Sequence, residues 1–260
     1  MHATQREKLI MEAAGKAGFV SYRELEAQLE ASPATIRRDL TRLEGEGRLV
    51  RVHGGAKLAD DEAAQDALLQ LSGTPFDASI SRNLAQKRTI GRAAATLCNR
   101  GEGVMIDGGT TTLQMCPHLA GLDLQVLTNS LHIVNALLPQ KDTRILVPSG
   151  TVFREQNIIL APTGEDSMPR FHAPKLFMGA AAVGPQGVMQ ADVILVAAER
   201  RLIDRADEVV LLVDNSKFTS SSGAIVCGLE EIDILITDKG IPDGMREILQ
   251  RAGVRLIVAE

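Results

Sequence analysis

Apolar residues change their spacing along this 260-residue chain. In the first 58 positions they recur at helical intervals in three short runs: Leu9, Ile10 and Ala13; Leu25 and Leu29; Ile36, Leu40 and Leu43. Each run follows a helix-start signal. Thr4-Gln-Arg-Glu7 and Ser21-Tyr-Arg-Glu24 have the spacing of a capping box, in which a hydroxyl and a Glu three residues on satisfy each other's backbone N–H groups. Ser32 stands ahead of Pro33, a residue suited to the first helical position because it has no N–H to leave unpaired. A tight turn near residues 30–32 joins the second and third helices. Leu49 to Val52 and Ala56 to Leu58, separated by His53-Gly54-Gly55, predict a two-stranded wing with glycines at its turn.

Residues 59–86 lose this periodicity and read as a linker holding a helix around Glu62 to Leu71. From Lys87 onward, strand-length apolar runs alternate with helix-length segments. Strands are predicted at 104–107, 124–128, 144–147, 176–179, 209–214, 232–237 and 255–258. The unbroken run Val209-Val-Leu-Leu-Val213 suits a strand covered on both faces. That in turn predicts an α/β domain with an open, largely parallel sheet over 87–260, behind a small helical domain over 1–58.

Charge then changes the picture. The chain carries a net −5, but residues 1–58 hold ten Lys/Arg against eight Asp/Glu, a net +2, leaving −7 on the remainder. Any contact with nucleic acid is therefore expected at the front of the chain. Cys98, Cys116 and Cys227 lie far apart with no histidines at ligand spacing, so they read as reduced core thiols, and neither a metal nor a cofactor is expected. No apolar run reaches about 18 residues and the first residues are polar, which predicts a cytoplasmic protein away from membranes.

On the third helix, Ile36, Leu40 and Leu43 share one face. Thr35, Arg38 and Arg42 point the other way, flanked by Arg37 and Thr41. Guanidinium forks suit phosphate or the O6/N7 edge of guanine, and hydroxyls at a helix start suit phosphate. The wing adds Arg48, Arg51 and His53. A solvated helix with arginines on its outer face would show the same local pattern; the order of three short helices and a Gly-tipped hairpin favours a DNA-reading unit. Asp39 is expected to pair with a neighbouring arginine or with the first helix.

A second motif, Asp107-Gly108-Gly109-Thr110-Thr111-Thr112, follows a strand and precedes a helix starting near Leu113. Glycines admit a ligand close to the backbone, and hydroxyls and free N–H groups suit phosphate or carboxylate. No Lys follows the glycines as in a Walker loop, and the third glycine of a dinucleotide fingerprint is missing. Thr128-Asn129-Ser130, Ser149-Gly150 and Asp214-Asn-Ser-Lys217 end other strands, where ligands bind in open parallel sheets. Lys217 is either a cation for an anionic ligand or a surface lysine.

Ser-Pro-Ala-Thr-Ile-Arg-Arg-Asp-Leu (32–40), Leu43-Glu44, Gly47 and Val52-His-Gly-Gly-Ala56 resemble the DNA-binding signature of the DeoR family of sugar-metabolism repressors. The resemblance implies a winged helix-turn-helix in which Ser32, Thr35, Arg37 and Arg38 meet double-stranded operator DNA, with Tyr22, Arg42, Arg51 and His53 as further candidates. It extends through Asp107 to Thr111, Thr128-Asn129, Phe177-Met-Gly179, Glu199 and Asp214 to Phe218. This half looks like the family's effector domain, which is similar in fold to ribose-5-phosphate isomerase. It implies a phosphorylated sugar or sugar acid as effector, with Asp107, Gly108, Gly109, Thr110, Thr111, Thr112, Thr128, Asn129, Gly150, Gly179, Glu199 and Lys217 around it. Glu199 and Arg200 or Arg201 would approach the sugar end. Pro174 stands where the family commonly has an acidic residue before Lys175, and Ser149 stands where a Gly is usual.

Three functions compete. An aldose–ketose isomerase needs a base beside the substrate carbon and a partner that stabilises the enediolate, and Glu199 is the one clear carboxylate for it. A DNA-binding protein without ligand response would leave the second motif idle. The favoured reading is a non-enzymatic repressor of a carbohydrate or sugar-acid catabolic operon, working as a homodimer or homotetramer because one recognition helix covers one half-site.

Overall fold

The computed structural model describes residues 3–17, 20–21, 25, 28–29, 31–45, 48–52, 55–58, 76–160 and 169–260. Tyr22, His53 and the helix expected around 62–71 lie outside them. The chain forms two compact units, Met1–Ser72 and Gly73–Glu260.

The first unit contains α1 (Ala3–Ala17), β1 (Val20–Ser21), α2 (Pro33–Gly45), β2 (Leu49–Val52) and β3 (Gly55–Leu58). Ser32 starts α2 as its sequence predicts: the hydroxyl accepts the Thr35 N–H at 3.3 Å, while the carbonyl accepts the N–H groups of Thr35 and Ile36 at 2.9 and 3.1 Å. Such a cap stabilises a helix by about 1 kcal/mol. Ile36, Leu40 and Leu43 are fully buried against Ile10, Ala14, Leu25, Leu29 and Leu49. Two details differ from the sequence reading. The first helix already includes Thr4, so that residue does not cap it. The wing gains a third strand, with β1 pairing to β3 through Val20↔Ala56 and Ser21↔Gly55; two residues are too few for a period-2 pattern to register.

The second unit opens with α3 (Phe76–Ser79) and α4 (Leu84–Ala95), so residues 76–86, read above as linker, belong to this unit. Its centre is a seven-stranded parallel sheet of β4 (Gly103–Ile106), β5 (Gln125–Leu127), β6 (Arg144–Leu146), β9 (Ala173–Met178), β12 (Ala206–Leu212), β14 (Ile234–Thr237) and β15 (Arg255–Val258), in the order β15-β14-β12-β9-β4-β5-β6. These are the seven strands the apolar runs predict. Both faces are covered. Val104, Ile106, Phe177, Val210 and Leu212 pack on one side with Ile90 and Ala94 of α4 and with Ile133 and Leu137 of α5 (Leu131–Leu137). Met105, Leu176, Met178, Val209 and Leu211 pack on the other with Leu202 of α6 (Val193–Ile203) and with Met245 and Leu249 of α7 (Asp243–Arg251). The short antiparallel strands were not foreseen: the hairpin of β7 (Thr151–Phe153) and β8 (Ile158–Leu160), and the sheet of β10 (Ala182–Gly184), β11 (Gly187–Gln190) and β13 (Ala224–Cys227).

The chain runs from β4 outward to β5 and β6, then returns to the other side of β4 as β9. The order therefore reverses between β4 and β9, and the carboxyl ends of those strands, at Asp107 and Gly179, border the crevice where open parallel sheets bind ligands.

Candidate functional site

In the first unit, α2 presents Arg37 and Arg38 to solvent, and neither guanidinium makes a hydrogen bond or ion pair among the described residues. Ser32 is also exposed, and its hydroxyl lies 2.9 Å from that of Thr35. Asp39, between these residues and the core, pairs with the first helix: Arg6 donates Nε–H to Oδ2 at 2.7 Å and Nη2–H to Oδ1 at 3.3 Å. This bidentate bond fixes the angle at which α1 holds α2. Arg42 differs from Arg37 and Arg38 because its Nη2 donates to Glu7 Oε2 at 2.9 Å; Arg48 donates to the other oxygen of the same carboxylate. The two arginines hold the Glu7 carboxyl below its ordinary range. Arg51 lies in β2.

In the second unit, the turn after β4 is closed by its own side chains. Thr112 donates its hydroxyl to the carbonyls of Asp107 and Gly109 at 2.8 and 2.9 Å. Asn129, at the end of β5, donates to Asp107 Oδ1 at 3.2 Å and accepts the Gly108 N–H at 3.1 Å. A Cβ on Gly108 would lie 2.5 Å from Ile158 Cγ2, which is why this position has no side chain. The N–H groups of Gly109, Thr110 and Thr111 donate no hydrogen bond among the described residues. The helix expected near Leu113 is a 3-10 helix, Thr112–His118, interrupted by Pro117, which has no N–H to continue an α-helical ladder. Thr128 is buried and its hydroxyl accepts the Ser130 N–H at 3.1 Å. Gly150 lies in the exposed stretch after β6, and Gly179 follows β9.

Asp107 is buried, and desolvation pushes its carboxyl up to about 6 against the opposing bonds from Gly108 and Asn129. Glu199 of α6 is buried as well. Desolvation, reinforced by the charge of Asp107, raises it well above the carboxylate range, opposed by the bond that Gln190 Nε2 donates to Oε1 at 2.5 Å. Its Oε2 has no partner among the described residues.

Beyond β12, Asp214 caps the short 3-10 helix Asn215–Phe218 that carries Lys217. Lys217 is partly buried; desolvation lowers it, Asp214 raises it and Arg82 lowers it. Lys87 of α4 is buried, donates to the Ser79 carbonyl at 2.6 Å, and is lowered to about 8, chiefly by desolvation. Asn83, in the left-handed region at φ 50°, donates to Asp214 Oδ1 at 2.9 Å. Asp107, Gly179 and Asp214 thus follow three adjacent strands, β4, β9 and β12, whose outer members are about 10 Å apart.

The sequence reading missed Lys87, Asn83, Arg82 and Gln190 as neighbours of these groups. Lys87 had a signal: it falls on the apolar stripe of α4 with Ile90, Gly91 and Ala94, where a solvated lysine does not belong. Three other residues lie away from the site. Pro174 and Lys175 sit at the amino end of β9, opposite the site, where Lys175 pairs with Glu102 at 2.5 Å; an acidic residue in that place would not face the crevice. Arg200 turns to Glu231 at 2.6 Å and Asp204 at 3.4 Å, and both partners raise its pKa. The three cysteines are free and buried, and desolvation drives each thiol up to about 12. Among the described residues no cluster of His, Cys, Asp and Glu suits a metal, and no helix is long and apolar enough to cross a membrane.

Comparison with known proteins places both units in one class. Residues 6–62 match the DeoR-like helix-turn-helix domain, and residues 82–239 match the DeoR C-terminal sensor domain. The chain belongs to the DeoR family: it is a DNA-binding transcriptional regulator with a sugar-phosphate sensor domain. Among curated relatives, the HTH-type transcriptional regulator UlaR of Escherichia coli strain SMS-3-5 is 29% identical over 258 residues, 99% of either chain. UlaR of Shigella boydii serotype 18 is similar to the same extent. Among solved structures, ribose 5-phosphate isomerase A from Methanocaldococcus jannaschii matches 52% of this chain and 55% of its own at 16% identity, with a TM-score of 0.38.

Proposed function

We propose that the chain represses a carbohydrate or sugar-acid catabolic operon and that a phosphorylated sugar or sugar acid, held at the carboxyl ends of β4, β9 and β12, sets its grip on operator DNA. The observation that carries this reading is the pairing of opposite chemistries across those ends. Lys217 and Lys87 offer partly or fully desolvated cations to an anionic group, and the unpartnered Oε2 of Glu199 with the Asp107 carboxyl offers hydrogen-bonding sites to sugar hydroxyls. The N–H groups of Gly109 to Thr111 give the anion a second anchor. A desolvated lysine attracts phosphate strongly because little water has to be displaced from it.

On DNA, Arg37 and Arg38 read bases or phosphates from the start of α2, with Ser32 and Thr35 on adjacent phosphates. The chain acts without chemical turnover, as a cytoplasmic homodimer or homotetramer, each recognition helix serving one half-site. Fluorescence anisotropy on the DNA upstream of its own gene tests the DNA half: Arg37→Ala and Arg38→Ala are each expected to weaken binding by about 1 to 3 kcal/mol with an unchanged melting temperature. Affinity equal to the parent in both variants would remove α2 from the interface.

A further inference from the structure

The first unit also contains a charge arrangement that DNA reading by Arg37 and Arg38 does not use. Glu7 on α1 receives Arg42, from the last turn of α2, on one oxygen and Arg48, from the start of the wing, on the other. Both arginines are 43% exposed at their side chains, so the clamp lies at the surface and not in the core. Arg42 shares the outward face of α2 with Thr35 and Arg38. Arg37 and Arg38 of α2 thus stand open to solvent, while Arg42 of α2 and Arg48, just before β2, are tied to Glu7.

A guanidinium bound to a carboxylate must leave it before it can neutralise a phosphate. Binding to arbitrary DNA comes almost wholly from phosphate neutralisation, whereas operator binding adds contacts to base edges. Holding back two cations therefore costs arbitrary DNA a larger share of its affinity. We propose that Glu7 is a specificity-determining residue that withholds Arg42 and Arg48 from the DNA backbone, an inference resting on the reading that α2 docks on DNA.

The test uses the full chain and a labelled 30-base-pair duplex of random sequence, with affinity measured by anisotropy over a range of KCl concentrations. Glu7→Gln is expected to bind about three- to tenfold tighter at moderate salt, since DNA no longer has to break two exposed ion pairs, each of modest strength, to reach these guanidinium groups. The slope of log affinity against log salt should steepen by about 1 to 2, one step per arginine recruited. Adding Arg42→Gln and Arg48→Gln to that variant should return both quantities to parental values. In the parent chain, the Arg42→Gln/Arg48→Gln pair should leave the slope unchanged, and this arm decides the matter if Glu7→Gln does not fold. Weaker or unaltered binding by Glu7→Gln, or a slope that falls by about 2 when the two arginines are removed from the parent, overturns the proposal. Failure of the docking reading itself registers elsewhere, as indifference of DNA binding to Arg37→Ala and Arg38→Ala.

Discussion

Asp107 and Glu199 are two buried carboxyls in each other's field, and both are easier to keep protonated in the folded chain than in the unfolded one. Between the ordinary aspartate range and about pH 6, the folded chain retains a proton on Asp107 that the unfolded chain has released. The stability from this group is therefore full below about pH 4, declines as pH rises to about 6, and changes no further above it; Glu199 acts with the same sign. In Asp107→Asn, the new Oδ1 still accepts from Asn129 while the titration is gone. Urea melts at pH 4 and pH 6 should show a stability loss over that interval smaller than the parent's by on the order of 1–3 kcal/mol. Equal losses would mean that Asp107 does not titrate there. At this scale the sequence reading named residues whose type advertises the chemistry proposed for them: the Gly-Gly-Thr turn, Asn129 and Lys217. It could not recover Asn83, whose role comes from a left-handed backbone that aims its amide at a residue 131 positions away.

Elements were legible in proportion to their length and burial. All seven parallel strands announced themselves because coverage on both faces demands an unbroken apolar run. The strands of two or three residues in β1, β7, β8 and β10 carry too few positions for alternation to be read. Packing between elements was also invisible. Gly91 looks like a weak spot in α4, yet a Cβ there would lie 2.5 Å from the carbonyl carbon of Gln114 in the facing 3-10 helix. Alanine ordinarily favours a helix over glycine by about 1 kcal/mol, but overpacking against rigid backbone costs about 1–3 kcal/mol. The second effect should win. Gly91→Ala is expected to lower the melting temperature by a few degrees, and a rise would mean that the two helices have room to separate.

At the scale of the molecule, an acidic sensor unit follows a front end that is basic only locally. The small positive excess of residues 1–58 acquires its meaning from position: Asp39 neutralises Arg6 inside, Glu7 occupies Arg42 and Arg48, and Arg37 and Arg38 remain open. The second unit gathers desolvated charges of both signs at the carboxyl ends of its central strands. Residues 76–87 open the second unit and touch the cluster at its strand ends through Asn83 on Asp214. The proposed function requires effector occupancy to set the grip on DNA, and one titration tests that link: the complex with a labelled upstream duplex, followed by anisotropy while ribose 5-phosphate, fructose 6-phosphate, glucose 6-phosphate and 6-phosphogluconate are added in turn. At least one of these phosphorylated compounds is expected to shift the parent's DNA affinity tenfold or more, with Lys217→Ala losing the shift while binding DNA normally. Affinity unmoved by every compound, or a shift that Lys217→Ala retains in full, would contradict it.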